Sequence, residues 1–110
     1  MNSTNDVIQH MQSLTESSEA MVSLARSGEW DELVEQEGKR RPALEAFFAA
    51  LSDETRQQYA DQIRQFIQTL LELDQQVMSL SAKAKLDAAQ DVQKIQAASK
   101  AAKMYSDNQG

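Results

Sequence analysis

The chain has 110 residues, a net charge of −6, 41% hydrophobic residues, three Gly, one Pro and no Cys. That length predicts one domain, and the missing cysteines exclude a disulfide scaffold or a thiolate metal site. The acidic balance argues against nucleic acid as a direct ligand, because neutralising phosphates takes basic surface.

Ala, Gln, Glu, Lys, Leu and Met are abundant and turn formers few, which predicts an all-α chain. No apolar run approaches ~18 residues, so no membrane span is expected. The opening MNSTNDVIQHMQS is polar and acidic, unlike an export leader, and a cytoplasmic location follows as the expectation. Charge is uneven: residues 1–37 carry eight acids against Arg26 alone, while residues 76–110 carry five Lys against three Asp.

The first helix is expected at about 5–26. Ser3 with Asp6 resembles a capping box, and Val7, Met11, Leu14, Ser18, Met21 and Ala25 recur at spacings of four and three. Ile8, Val22 and Leu24 widen that stripe. Ser27-Gly28 breaks it, Gly being the usual residue where a helix ends in a left-handed step.

The second helix is expected at about 29–51. Trp30, Leu33, Val34, Leu44, Phe47, Phe48 and Leu51 are assigned to one face, with acids at 29, 31 and 32 near the positive end of the dipole. Within it, EQEGKRRPALEAFF raises the possibility of a phosphate loop. The stripe keeps its phase across this stretch, no strand pattern precedes it and GxxxxGK[ST] is missing. The expectation is one helix kinked near Gly38/Pro42, since Pro42 crowds the carbonyl four residues back and Gly38 has no side chain to resist the bend. Two short helices, the second opening at Pro42, are the alternative. Glu37 and Arg41 are placed at the core edge as an i,i+4 pair, with a partner carboxylate on Arg41 as the other reading. Lys39-Arg40-Arg41 reads as a solvated basic turn.

Ser52-Asp53-Glu54 caps a third helix, expected at about 54–105. Short breaks predict an antiparallel three-helix up-down-up bundle, with Phe48 near Val7, and Trp30 near Ala25 and residues 74–77. About 50 helical residues span ~75 Å at ~1.5 Å each, roughly twice either neighbour, so the long third helix is expected to overhang the bundle. From Tyr59 to Leu80 its apolar arc covers about half the circumference, wider than the ~100° stripe of a simple surface helix. From Ser81 onward only Leu86, Val92, Ile95, Met104 and Tyr105 are large and apolar.

Asp74 sits within that arc. It reads as a structural acid, a candidate acceptor for the Trp30 indole N–H, with a binding role as the alternative. His10, the only histidine, reads as solvated. No HExxH or paired-cysteine motif exists and no nucleophile, base and orienting acid stand out, so no catalytic, cofactor-binding or metal residue is assigned. The expectation is a binding protein, not an enzyme. A client helix would occupy the apolar flank of the third helix, anchored by Ile67, Leu71, Met78, Leu80 and Leu86, with Tyr105 as a further contact. Trp30, Phe47, Phe48, Phe66 and Leu70 are assigned to the core.

The stretch LARSGEWDELVEQEGKRRPALEAFF resembles the FliT family of flagellar export chaperones, whose second helix opens with Gly-x-Trp followed by leucines, an acid and an arginine. Here these are Gly28, Trp30, Leu33, Glu37 and Arg41. IQTLLELDQQVMSL resembles the family's third helix, with Asp74 in the apolar run, and AAKMY resembles its Ala/Tyr ending at Tyr105. The resemblance covers about Val7 to Tyr105. It implies a small cytosolic helical chaperone whose client is the flagellar filament cap protein, bound through its carboxy-terminal region before secretion. It further implies docking onto the flagellar type III export ATPase complex. Some members restrain the flagellar master transcription activator by protein contact, which makes anti-activation an alternative. A structural homodimer with mutually buried arms is another.

Overall fold

The structure, a computed structural model, describes residues 3–109, with side-chain environments over 6–106. The chain is all-α: α1 is Ser3–Arg26, α2 Trp30–Ala50, α3 Asp53–Gln58 and α4 Ala60–Gln109. No strand occurs among the described residues. The side chain of Ser3, one half of the expected capping box, lies outside them.

α1 ends as its sequence dictates. Gly28 adopts φ +72°, Glu29 N–H donates to the Leu24 carbonyl at 2.9 Å and Gly28 N–H to Ala25 at 3.2 Å. This crossed pair satisfies carbonyls that the helix end leaves open, and the positive φ favours a residue without Cβ. α2 runs continuously through Pro42.

The expected helix from about Glu54 to 105 is two helices here. Tyr59 steps out of helical geometry at φ −111°, ψ 25°, although Tyr59 N–H still donates to Thr55 and Ile63 N–H to Tyr59. Tyr59 is buried at this step. Ser52 opens α3 by accepting the Thr55 N–H at 3.2 Å, a side-chain cap for an otherwise open donor.

A four-three alternation places the buried and half-buried positions on all three long helices. On α1 it runs through Met11, Leu14, Ser18, Met21 and Ala25; on α2 through Leu33, Glu37, Arg40, Leu44 and Phe47; on α4 through Ile63, Phe66, Leu70, Leu73 and Val77. This spacing keeps one seam of a helix facing its neighbours. Two apolar clusters result. Met11, Leu14, Phe47, Phe66 and Leu70 form one, with Val7 and Phe48 packed against it; Met21, Ala25 and Leu33 form the other, with Trp30, Val77 and Leu80 packed against it. Phe47 meets Phe48 and Phe66 edge-on at centroid distances of 5.2 and 5.6 Å, a favoured aromatic geometry.

The residues divide into two units, one up to Leu80 and one from Ser81 on. The first contains both clusters. In the second, every described residue from Lys85 to Ser106 is exposed.

One face assignment is corrected. Val34, assigned to the same face of α2 as Leu33 and Phe47, is 69% exposed. The seam passes through Leu33, Glu37 and Arg40, so the residue after Leu33 turns outward.

Candidate partner-binding surface

The polar centre of the first unit is Arg40. Its Nη1 donates to Ser18 Oγ on α1 and to Asp74 Oδ1 on α4, both at 2.9 Å. The Arg40 side chain is only 11% exposed and Asp74 41%, while Ser18 is the most deeply buried side chain at 1%. A serine here leaves room for the guanidinium; a larger residue at Ser18 would fill that space. Arg40 Nε is buried without a hydrogen-bond partner.

This geometry corrects two expectations. Arg40 is not part of a solvated basic turn, and the Asp74 carboxylate accepts from Arg40, not from the Trp30 indole. Trp30 is half-buried against the cluster of Met21, Ala25 and Leu33. The sequence held the signal: Arg40 lies seven residues from both Leu33 and Phe47, the two buried residues of α2. Arg41 lies seven from exposed Val34 and points outward, 71% exposed.

Arg41 does form the expected pair with Glu37 one turn earlier, its Nε donating to Oε1 at 2.9 Å and its Nη2 to the same oxygen. The hydrogen bond and the charge of Glu37 raise the Arg41 pKa above its ordinary value. Glu37 Oε2 is buried and makes no hydrogen bond.

Beside Asp74 runs an apolar strip. Ile67, Leu71 and Met78 are 40%, 64% and 64% exposed. They stand four and seven residues apart on α4, so they share a line down one side of the helix, with Asp74 between Leu71 and Met78. The neighbouring side of α4 faces the core through Phe66 and Leu70. Leu80 is half-buried and packs against the second cluster. Leu86 and Tyr105 belong to the unit from Ser81 on, where they are 58% and 67% exposed.

A second apolar feature was not anticipated from sequence. A groove of about 660 Å³ lies between α1 and α2, lined chiefly by Val7, Leu14, Ala43, Ala46, Phe47 and Leu51, with Asp6, His10 and Thr55 at its edges. His10 is exposed and meets Phe47 edge-on at 6.2 Å. Small alanines leave this space open, and nothing in the periodicity of α2 marks it, because Ala43, Ala46 and Ala50 read simply as good helix formers.

Among the described residues no group of three or more His, Cys, Asp or Glu could hold a metal ion. No helix there is long and apolar enough to cross a membrane. The surface offers packing and hydrogen-bonding groups along helix sides, the equipment of helix-in-groove recognition.

The family model described as flagellar protein FliT matches residues 8–107. No curated protein and no solved structure gives a significant match. With the family match spanning nearly the whole chain, the protein belongs to the FliT family, a family of flagellar export chaperones.

Proposed function

We propose that this chaperone binds the carboxy-terminal region of the flagellar filament cap protein in the cytoplasm, prevents its premature self-association and delivers it to the type III export apparatus, its ATPase complex included. The observation that carries the reading is the strip of Ile67, Leu71 and Met78, left exposed on the side of α4 next to the core. Large apolar side chains aligned at helical spacing and open to water are what a client helix would cover. Asp74 offers a partly exposed carboxylate within the strip, a polar group able to fix the register of a bound helix. Leu80 and, in the second unit, Leu86 and Tyr105 are further residues proposed to touch the client.

The reading includes an antiparallel up-down-up arrangement of α1, α2 and the first part of α4. It is supported by the order of residues in the two clusters: Met11, Phe47 and Phe66 share one, and Met21, Leu33 and Val77 the other. Such a frame holds the strip rigid before the client arrives, which lowers the ordering cost of binding.

Titration calorimetry with a peptide of the cap protein's carboxy-terminal region tests the proposal. Leu71→Asp with Met78→Asp should weaken binding roughly 30-fold or more while leaving the helical signal intact, since both positions are exposed. Undiminished binding by the folded double variant rejects the strip as the client site.

A further inference from the structure

We propose that Arg41 recognises an acidic side chain of the client helix, and that Glu37 releases it by turning to the buried Nε of Arg40. This contact rests on client binding along the α4 strip and adds an ionic reading head beside it.

The pair of Glu37 and Arg41 is incomplete as it stands. Arg41 spends both Nε and Nη2 on a single oxygen, Glu37 Oε1. A guanidinium fork matches a carboxylate best when each of its two nitrogens meets an oxygen of its own. Glu37 Oε2, meanwhile, is buried without a hydrogen bond, and so is Arg40 Nε, a donor on the same helix three residues on. Side chains three and four residues apart are neighbours on a helix surface, so Glu37 lies between buried Arg40 and exposed Arg41. The acceptor and the donor that lack partners are each other's complement. Turning Glu37 to Arg40 satisfies both and leaves the Arg41 fork open to the two oxygens of another carboxylate.

Arg41 also stands where a client on the strip would pass. Val34, Arg41 and Phe48 are spaced by seven and share one line down α2. Phe48 meets Phe66 of α4 at a centroid distance of 6.1 Å, and Arg40, next to Arg41, reaches Asp74 within the strip. The line through Arg41 therefore borders α4. Arg41 is 71% exposed and Val34 69%. Between them lies a notch of about 430 Å³, lined also by Leu33, Gly38 and Pro42, and Gly38 leaves open space around its backbone. A client helix can set an apolar side chain in this notch and an acid on the fork above it. The guanidinium offers donors only, so its partner is an acceptor, and a carboxylate alone among side chains also answers its charge.

Titration calorimetry with the cap-protein peptide, at low and high salt, on Arg41→Gln, Glu37→Gln and the double variant tests this. Arg41→Gln should weaken binding about tenfold and flatten its salt dependence. Glu37→Gln should instead tighten binding severalfold, because Arg41 then starts unpaired, and should have little effect once Arg41 is already Gln. A purely structural pair predicts that both changes weaken binding alike, and that result overturns the proposal. Nuclear magnetic resonance of the arginine Nε–H groups reports the handover: the Arg40 signal, identified by its loss in Arg40→Lys, should move downfield as peptide saturates the chain. A signal that stays in place overturns the turning of Glu37. Binding that Leu71→Asp with Met78→Asp abolishes but Arg41→Gln leaves unchanged overturns the ionic contact and keeps the strip. A chain that does not bind the peptide, or binds it regardless of all these changes, removes the client reading and this contact with it.

Discussion

Arg40 on α2 and Asp74 on α4 meet at 2.9 Å across the interior of the first unit, and the same guanidinium nitrogen holds the buried Ser18 hydroxyl of α1. One side chain thus ties together three helices. Removing it leaves a buried hydroxyl and a half-buried carboxylate without their donor. Arg40→Ala should lower unfolding stability by about 2–3 kcal/mol, the exposure of Asp74 keeping the cost below that of a fully buried pair. The double change Arg40→Met with Asp74→Leu should cost less than Arg40→Ala alone, since no charge is then stranded. Urea unfolding followed by circular dichroism measures both, and equal losses would show that the charge on Asp74 does not matter.

Neighbouring positions on α4 should separate stability from binding. Phe66 is 5% exposed and Ile67 40%. Phe66→Ala empties a site against Phe47 and Phe48 and should cost about 3–4 kcal/mol. Ile67→Ala should cost under about 1 kcal/mol. Comparable losses at both positions would mean that the strip is covered in the isolated protein.

The turn between α1 and α2 depends on a left-handed residue. Gly28→Ala forces a Cβ into φ +72°, although no atom lies within 4 Å of that Cβ. The penalty is purely backbone and should amount to about 1–2 kcal/mol. Gly28→Asn should recover part of it, since Asn tolerates this region. Thermal unfolding of the two variants gives the comparison.

Arg41 should behave differently from Arg40 despite being its neighbour. Its guanidinium is exposed and its pKa is raised by the hydrogen bond and charge of Glu37. A raised folded-state value means that this contribution is present below the unfolded guanidinium value and lost only as pH rises through the folded one. Arg41 ionisation therefore gives no pH dependence to stability in the neutral range. Arg41→Gln should leave stability nearly unchanged, equally so at mildly acidic and mildly basic pH. A loss as large as that of Arg40→Ala would contradict the outward placement of Arg41.

Amide exchange should differ sharply along α4. Residues 63–77 run from the first cluster to the second and should exchange only through opening of the whole unit. Residues 86–104 are exposed on every side, so their helix should open locally and exchange orders of magnitude faster. Equal protection of the two stretches would show that residues 86–104 are packed.

Much of the architecture is legible in the residues themselves. The four-three spacing on α1, the Gly28 stop and the Ser52 cap are local features, set by helix geometry and by the hydrogen bonds that a helix end must satisfy. Leu71 and Met78, expected on an apolar flank of α4 open to a client, are both 64% exposed. For the two adjacent arginines, the spacing of Arg40 from Leu33 and Phe47 pointed inward while its residue type pointed outward. A charged residue reads as solvent-facing until its partners are known, and Ser18 and Asp74 lie 22 and 34 residues away in sequence.

The sequence by itself thus determined an all-α chain, the positions of its main stops and a family membership carried by Gly28, Trp30 and the residues that follow. Tertiary structure decided the rest: that Arg40 is held inside, that Val34 is left outside, that Tyr59 interrupts the last helix, and that alanines on α2 border an open groove. The physical reason is range. Helix formation depends on neighbours within about a turn, whereas burial of a charge and the emptiness of a groove depend on what distant segments bring to the same place.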